Sequence, residues 1–415
     1  MENSENKKTK IERTSGSDKN EIDMRKRPAW ILPIIIFSQF SGTSLWFAGN
    51  AILDDIQRQW SLGDSVLGYM TSVVQLGFIT GTLCFAVLAV SDRFSPRKVF
   101  FFCSLLGAFT NLLIYLIADG FTSLMVLRGM TGFFLAGIYP VGMKIASGWY
   151  RQGLGKALGF LVGALVLGTA FPHIFRGSYQ SIPWETVIVA ISLISACGGA
   201  LMFVLVPDGP YLFRGTTFNG KALMLIFERR DLRAAAFGYF GHMWELYTLW
   251  AFVPMFLITY ATDHPQVKLN ISLWAFTIIA AGSFGCIGGG IIARKFGSAK
   301  VAFVQLGLSG ICCLLSGLIF QAPPELFLAF LIFWGIVVVG DSPQFSTLVA
   351  YTAPKELVGS ALTIVNCIGF FITIISIQLM TSLIPVVPSD YLFLLLAIGP
   401  LIGLGSLRQL VQKKI

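Results

Sequence analysis

The chain has 415 residues, of which 55% are apolar and only 12% are charged, and its mean hydropathy is +0.74. About a quarter of the residues of soluble domains are charged, so this composition excludes an ordinary soluble protein. The net charge of +9 does not indicate a nucleic-acid partner, because the basic residues are distributed over the polar segments between long apolar runs.

About a dozen apolar runs lie between Trp30 and Leu410, each near the roughly 20 residues that cross a bilayer as a helix. They lack the alternating pattern of barrel strands and are too long for such strands. The sequence therefore predicts an all-α polytopic membrane protein with 12 transmembrane helices in two six-helix bundles. The predicted spans are 30–51, 65–90, 99–117, 122–146, 155–175, 185–206, 235–260, 272–293, 300–320, 326–350, 357–384 and 390–408.

Polar stretches divide the chain into predicted parts. These are a disordered cytoplasmic tail at 1–27, an N-terminal six-helix bundle at 28–206, a cytoplasmic linker at 207–233, a C-terminal six-helix bundle at 234–410 and a cytoplasmic tail at 411–415. With a cytoplasmic N-terminus, nearly all Lys and Arg residues fall on the cytoplasmic side, as the positive-inside rule requires. The exceptions are Arg58, Arg128, Arg176 and Lys268. Both termini are therefore expected in the cytoplasm.

A charged turn, Ser91–Val99, separates the second and third predicted helices. It resembles the loop of the major facilitator superfamily written G-x-x-x-D-R-x-G-R-[KR]. Asp92, Arg93 and Arg97 match that pattern, whereas Leu88 replaces its first glycine. The second glycine and the following arginine are replaced by Ser95 and Pro96. The resemblance implies a fold of two parallel six-helix halves with a solute site between them.

The sequence also contains a weak internal repeat. Three stretches recur after nearly the same shift of half the chain, which is what duplicated transporter halves produce. The pairs are Asp92–Val99 with Arg294–Val301, Gly137–Pro140 with Gly340–Pro343, and Gly155–Leu158 with Gly359–Leu362.

Further segments resemble particular branches of the superfamily. Arg128–Gly132 is similar to its R-x-x-x-G element in helix 4, which proton-coupled members link to the translocation cycle. Helix 5 has Gly163–Ala164 where proton-driven exporters carry Gly-Pro, which favours uptake. Gly241–Tyr247 and Ser342–Ser346 are similar to bacterial cyanate and nitrate/nitrite porters, although the arginines of nitrate porters in helices 2 and 8 are absent. This resemblance implies a bacterial inner-membrane location.

Ionisable residues inside spans are costly and usually functional. The deepest ones are Arg128 in helix 4, His242 and Glu245 in helix 7, and Asp341 in helix 10. In the superfamily, helices 1, 4, 7 and 10 line the central cavity, so the resemblance places these residues on the solute and proton pathway. Helix 1 adds polar and aromatic groups, among them Trp46 and Asn50.

Charge type suggests a role for each residue. Burial favours the protonated form of a carboxyl group, so Glu245 or Asp341 is a candidate proton carrier, and His242 would modulate its titration. Arg128 would attract an anionic solute or pair with a carboxylate. Two structural alternatives remain open, in which Arg128 pairs with a loop acid such as Asp119 and Glu245 only bonds its neighbours.

The charged turn suggests a gate. Its acid, Asp92, has no counterpart in the second copy, where Arg294 stands instead. We therefore expect Asp92, Arg93 and Arg97 to latch the outward-open state across the seam between the halves, with the solute bound elsewhere.

The sequence thus predicts a secondary active transporter of a small organic solute, with an anionic solute as a guess that depends on Arg128. We expect proton-coupled uptake by alternating access, with the proton gradient in place of a cofactor. The expected partners are the solute and the lipid bilayer, with no nucleic acid, and the chain is expected to act as a monomer. No catalytic residue, metal site or enzyme activity is predicted. The alternatives are a proton/drug efflux antiporter and a non-transporting sensor or scaffold.

Overall fold

The computed structural model describes residues 28–150, 153–178, 182–212 and 218–413, and within these ranges every regular element is helical. The predicted tail at 1–27 lies outside the described residues, as do the last two residues of the predicted tail at 411–415. In the first part of the chain the α-helices are α1 (Ile31–Thr43), α2 (Ala48–Ala51), α3 (Leu53–Trp60), α4 (Val66–Val87), α5 (Val90–Arg93), α6 (Pro96–Ile117), α7 (Phe121–Leu135), α8 (Tyr139–Trp149), α9 (Leu154–Ser178) and α10 (Trp184–Leu205).

The second part begins with a short helix inside the predicted linker, which the sequence did not indicate. Its helices are α11 (Lys221–Glu228), α12 (Arg230–Asp263), α13 (Ile271–Phe296), α14 (Ser298–Ile319), α15 (Pro324–Gly340), α16 (Ser342–Thr352), α17 (Val358–Leu383), α18 (Ser389–Leu392) and α19 (Ile398–Gln412). The 3-10 turns Lys355–Leu357 and Phe393–Ala397 precede α17 and α19, respectively.

Among the described residues, ten segments are long and apolar enough to cross a membrane, counting α7 with α8 and α15 with α16 as single spans. Helix α1 is apolar but shorter, with 13 residues. Helix α12 has 34 residues, which at 1.5 Å per residue is long enough to span a bilayer. It is the helix that contains the ionisable residues His242 and Glu245. All twelve predicted spans therefore correspond to helices.

Four of the predicted spans are not continuous α-helices: the last contains the 3-10 turn Phe393–Ala397, and three others are broken between two helices. The first is interrupted between α1 and α2, where Thr43 Oγ1 donates to the Gln39 carbonyl (2.8 Å) and Ser44 Oγ donates to the Ser41 carbonyl (2.6 Å). Hydroxyl groups that bond back to the chain in this way compete with the helical ladder.

The other two interruptions occur in the paired stretches of the repeat. Gly137–Pro140 connects α7 to α8, and Gly340–Pro343 connects α15 to α16. In both cases a proline occupies the second position of the new helix, where its missing N–H is tolerated, whereas further along a helix it would break the ladder. The sequence repeat is therefore also a structural repeat, and its two copies interrupt helices 4 and 10.

The helices of each half pack mainly on one another. In the first half α4 packs on α7, and α6 packs on α10. In the second half α12 packs on α17 and α19, and α13 packs on α15. Two pairs of helices make most of the contacts between the halves, namely α9 with α13 and α4 with α17. These contacts form the seam between the halves.

Small residues and two hydrogen bonds characterise the seam. On α9, Gly159 and Gly163 face α13 without being crowded, because a methyl group added to either would lie 3.5 Å from the nearest α13 atom. Asn270 Nδ2 donates to the Gly177 carbonyl, and Gln378 Nε2 donates to Ser72 Oγ, each over 2.8 Å. Both hydrogen bonds lie at the end of the bundle opposite the turn Ser91–Val99. We call the end that contains this turn the basic end.

Candidate functional site

Arg128 lies on α7 and is fully buried. Its guanidinium donates to the carbonyl of Leu45 (Nη1, 3.0 Å), the carbonyl of Trp46 (Nη2, 2.5 Å) and Oδ1 of Asn111 (Nη1, 3.4 Å). The two carbonyls belong to the turn between α1 and α2, whose backbone groups lack the partners that a continuous helix would supply. Arg128 therefore stabilises the interruption of helix 1.

No carboxylate of the described residues forms an ion pair with Arg128. Asp119, the acid that the sequence offered as a partner, instead accepts a hydrogen bond from Ser123 Oγ over 2.9 Å. The structural role of Arg128 thus depends on main-chain oxygens. Nε of Arg128 has no partner among the described residues, and neutral carbonyls do not cancel its charge, so Arg128 stays a buried positive charge beside the α1–α2 turn.

Trp46 belongs to a cluster of buried rings contributed by both halves. Its ring centroid lies 4.9 Å from that of Phe78, 5.5 Å from that of Phe370 and 5.6 Å from that of Tyr247. Such separations are typical of favourable aromatic pairs. The central aromatic cluster consists of Trp46, Phe47 and Phe78 from the first half and Tyr247, Trp250 and Phe370 from the second.

Several polar atoms at this cluster have no hydrogen-bond partner among the described residues. They are Nε1 of Trp46, Nε1 of Trp250 and Oδ1 of Asn50. The amide nitrogen of Asn50 donates to Thr71 Oγ1 over 2.9 Å, so the Asn50 side chain is oriented while its oxygen stays available. Unpaired buried polar atoms are uncommon and require an explanation, which a bound solute or water would supply.

His242 and Asp341 are in direct contact. Nδ1 of His242 lies 2.8 Å from Oδ1 of Asp341, and both side chains are buried. The other imidazole nitrogen, Nε2 of His242, has no hydrogen-bond partner among the described residues. The rings of Tyr239 and Phe345 enclose the imidazole at centroid distances of 5.9 and 5.7 Å. Asp341 itself is the residue at which α15 ends and α16 begins.

Glu245 is bonded differently, although it follows His242 by only three residues. Its Oε1 accepts hydrogen bonds from Ser309 Oγ, from Trp334 Nε1 (2.7 Å) and from Cys313 Sγ (3.3 Å). These donors lie on α14 and α15. The sequence placed His242, Glu245 and Asp341 in one group, whereas the structure brings His242 to Asp341 and gives Glu245 separate partners.

The charged turn at the basic end is tied to the first half. Asp92 Oδ1 lies 2.8 Å from Lys144 Nζ, and Lys144 also donates to the Ser91 carbonyl over 2.8 Å. Arg97 donates to the carbonyl of Phe203 on α10 over 3.3 Å and lies over the ring of the same residue, whereas Arg93 is exposed. Whether this turn also latches the two halves together stays a prediction.

Sequence reasoning missed the partners of the deep charges. Asn111, Ser309, Cys313 and Trp334 are single polar or polarisable residues inside apolar runs, and their spacing from Arg128 or Glu245 follows no short period. The only available signal was the presence of polar side chains at mid-helix, which many buried serines and cysteines share.

Membrane-spanning helices in two halves, with corresponding helices broken and unpaired polar groups between the halves, define a secondary transporter. The chain belongs to the Major Facilitator Superfamily, whose family model matches residues 34–407.

Two bacterial relatives are described as transporters. The uncharacterized MFS-type transporter YybF of Bacillus subtilis strain 168 is 22% identical over 273 residues, which cover 64% of this chain and 66% of YybF. The putative uncharacterized transporter YgaY of Escherichia coli K12 is 27% identical over 173 residues, or 41% of this chain and 42% of YgaY. The chain thus matches less than two thirds of the length of these relatives.

Proposed function

We propose that this transporter moves a small organic solute by alternating access and couples that movement to protons, in the direction of uptake. The observation that carries the proposal is the contact between His242 and Asp341 at the break of helix 10. A buried acid and imidazole in direct contact form a site where a proton can be gained or lost. This site lies at the junction where α15 ends and α16 begins.

The position of the pair relates proton binding to movement. Asp341 is at the junction of α15 and α16, and His242 is on α12, so their contact connects helix 7 to the break in helix 10. Protonation of Asp341 would remove the negative charge that faces the imidazole of His242. The proton would therefore change how strongly α12 is held at a junction that can bend.

We assign the proton to the His242–Asp341 pair and not to Glu245. Three donors already satisfy Oε1 of Glu245, and they come from two packed helices of the same half. Through these hydrogen bonds, Glu245 connects α12 to α14 and α15. Asp341 lies instead at the break of helix 10, where a change in its charge acts directly on the junction of α15 and α16.

For the solute we propose the region of the central aromatic cluster, with Trp46 and Asn50 as contacts. The flat faces of the rings suit an organic molecule, and the unpaired indole N–H groups and amide oxygen supply directional bonds. The buried charge of Arg128, which bonds the α1–α2 turn and has no carboxylate partner among the described residues, would favour an anionic solute. We also propose that both termini lie in the cytoplasm, that the chain lies in a bacterial inner membrane, and that it transports as a monomer.

The test requires a solute and a proton measurement on the same vesicles. A thermal-shift screen of the purified protein against metabolites identifies solutes, because binding raises apparent stability. The protein is then reconstituted with a pH dye inside the vesicles. Entry of the solute should acidify the interior for the wild type and for Glu245→Gln, whereas Asp341→Asn should pass the solute without acidification.

Other outcomes select the alternatives. Alkalinisation on solute entry would show exchange and favour a proton/drug antiporter. Binding without any flux would favour a sensor or scaffold. Solute flux that ignores an imposed pH gradient would refute proton coupling, and unchanged acidification with Asp341→Asn would refute the assignment to the pair.

A further inference from the structure

A cavity of about 180 Å³ lies at the basic end of the second half, remote from the central aromatic cluster. It is formed between the first turns of α12 and the last turns of α19. Its lining residues are Arg230, Arg233, Ala234, Phe237, Ser406 and Gln409.

The cavity has two arginines and no acid in its lining. Arg230 is exposed and makes no hydrogen bond or ion pair with any described residue. Arg233 uses Nη1 to donate to the Phe227 carbonyl over 2.7 Å, which orients its guanidinium and leaves its other nitrogens available. The cavity is therefore positively charged.

The nearest acids do not cancel this charge. Both carboxylate oxygens of Asp231 lie within 2.8 Å of Lys413 Nζ, so Asp231 is already neutralised. Glu228 and Arg229 follow each other on the exposed surface, and their charges offset each other. The two lining arginines are left without a counter-ion in the part of the chain that the structure describes.

The lining has the chemistry of a phosphate site. The planar guanidinium presents paired N–H groups that match the oxygens of a phosphate. Ser406 and Gln409 add a hydroxyl and an amide as further donors, and Phe237 adds an apolar wall. A phosphate group with an attached apolar or glycerol portion would satisfy both parts of the lining.

The surroundings indicate that this phosphate belongs to a lipid. Helix α11, which ends beside Arg233, buries Ala222 and Ile226 but exposes Leu223 (44%), Met224 (66%) and Phe227 (48%). An exposed apolar face on a short helix that also carries charged ends is typical of a helix lying in the interfacial layer of a membrane. On the other side of the cavity, α19 exposes Leu401 and Ile402. The arginines are thus flanked by two lipid-facing apolar surfaces.

We propose that this cavity binds the phosphate of an anionic phospholipid headgroup, whose acyl chains would lie along α19. Basic pockets between membrane helices are suited to such headgroups. The bound lipid connects α12, the helix of His242 and Glu245, to α19 at the basic end. This site is independent of the solute site proposed above.

The experiment measures lipid binding to delipidated, purified protein in detergent, by native mass spectrometry. The probes are dioleoylphosphatidylglycerol and dioleoylphosphatidylcholine, with glycerol 3-phosphate and inorganic phosphate as soluble competitors. The wild type should prefer phosphatidylglycerol, and Arg230→Gln/Arg233→Gln should weaken its binding about tenfold or more. Arg408→Gln is the matched control, because it removes an exposed charge from the same end of α19 without lining the cavity, and it should bind like the wild type.

A second variant keeps the test decisive if the double variant folds poorly. Gln409→Glu leaves both arginines and the Arg233–Phe227 hydrogen bond in place but adds a negative charge to the cavity, and it should also weaken phosphatidylglycerol binding. Wild-type lipid preference in both variants, or equal weakening by Arg408→Gln, would overturn the site. Displacement of phosphatidylglycerol by equimolar glycerol 3-phosphate would overturn the lipid assignment, because the site would then bind soluble phosphates.

Discussion

Arg128 donates a 2.5 Å hydrogen bond from Nη2 to the carbonyl oxygen of Trp46, so a side chain of helix 4 fixes the backbone at the break of helix 1. The same guanidinium reaches the carbonyl of Leu45. The position of the Trp46 ring in the central aromatic cluster therefore depends on a charged residue that bonds the main chain of Trp46 and of its neighbour Leu45.

Replacement of Arg128 by lysine should be damaging although the charge is kept. An ammonium group lacks the fork that bonds two adjacent carbonyls, and each buried carbonyl left without a donor costs about 1–3 kcal/mol. We expect Arg128→Lys to lower the midpoint of thermal unfolding and to reduce transport. Arg58→Lys is the control, because the Arg58 side chain is 75% exposed. Wild-type behaviour of Arg128→Lys would mean that only the positive charge matters.

His242 and Asp341 should show strong energetic coupling. Removing one partner of a buried pair leaves the other without a partner and costs about 3–5 kcal/mol of stability, whereas removing both partners relieves this penalty. Asp341→Asn and His242→Gln should each destabilise the protein, and the double variant should be destabilised by less than the sum. Thermal unfolding of the four proteins in one detergent measures this cycle. Strictly additive effects would show that the 2.8 Å contact carries no interaction energy.

Glu245 should matter for stability more than for proton coupling. Hydrogen bonds to a charged acceptor contribute about 1.5–3 kcal/mol each, against about 0.5–1.5 kcal/mol for neutral groups. Glu245→Gln keeps an acceptor oxygen for Trp334 and Ser309, so we expect a loss of about 2 kcal/mol or less, while Glu245→Ala should lose more. Unfolding measurements rank the two variants, and Trp334→Phe, which removes one donor, should fall between the wild type and Glu245→Ala. If Glu245→Ala were as stable as the wild type, the hydrogen bonds of Glu245 would not hold α12 to α14 and α15.

Two glycines should respond differently to alanine. A methyl group on Gly132 would overlap the backbone of Val74 within the first half, whereas one on Gly163 would reach Ile287 across the seam at an ordinary 3.5 Å. Overpacking costs about 1–3 kcal/mol, so Gly132→Ala should be destabilised and Gly163→Ala should not. Comparable thermal stabilities of the two variants would argue against the packing described here.

Asp92 and Lys144 should act as a unit at the basic end. Their 2.8 Å ion pair holds the turn Ser91–Val99 to the middle of α8. If this turn moves during the transport cycle, Asp92→Asn and Lys144→Gln should both change turnover and leave the KM for the solute nearly unaltered. Initial rates over a range of solute concentrations separate the two parameters. A raised KM with normal turnover would place the pair in solute binding instead.

The sequence was most informative about elements that long apolar runs define. Because a span needs about 20 apolar residues, the helices could be found from composition alone, and even the breaks of helices 4 and 10 were marked by the matching stretches at Gly137 and Gly340. The break in helix 1 had no such mark. It coincides with hydroxyl groups at Thr43 and Ser44 that bond back to the chain, but hydroxyl groups bond back in the same way within continuous helices, as Thr277 does to the Leu273 carbonyl.

The pairing of the deep charges could not be derived in the same way. Sequence spacing puts His242 and Glu245 on neighbouring positions of one helix, but a rotation of a few tens of degrees decides which adjacent helix each one meets. Arg128 illustrates a second limit, because its partners are main-chain carbonyls that every residue possesses. A pattern of side chains cannot reveal a bond to the backbone.

The central aromatic cluster has an energetic consequence for the resting protein. If the two halves separated at the central aromatic cluster, the rings of Trp46, Tyr247 and Phe370 would be exposed to water. At about 25 cal/mol per Å², exposing about 150 Å² of a single ring costs about 4 kcal/mol, and each 1.4 kcal/mol changes a population tenfold. In the absence of a solute, contacts among these rings therefore stabilise the conformation in which the two halves meet at the central aromatic cluster. The closed cluster also prevents small ions from passing between the halves.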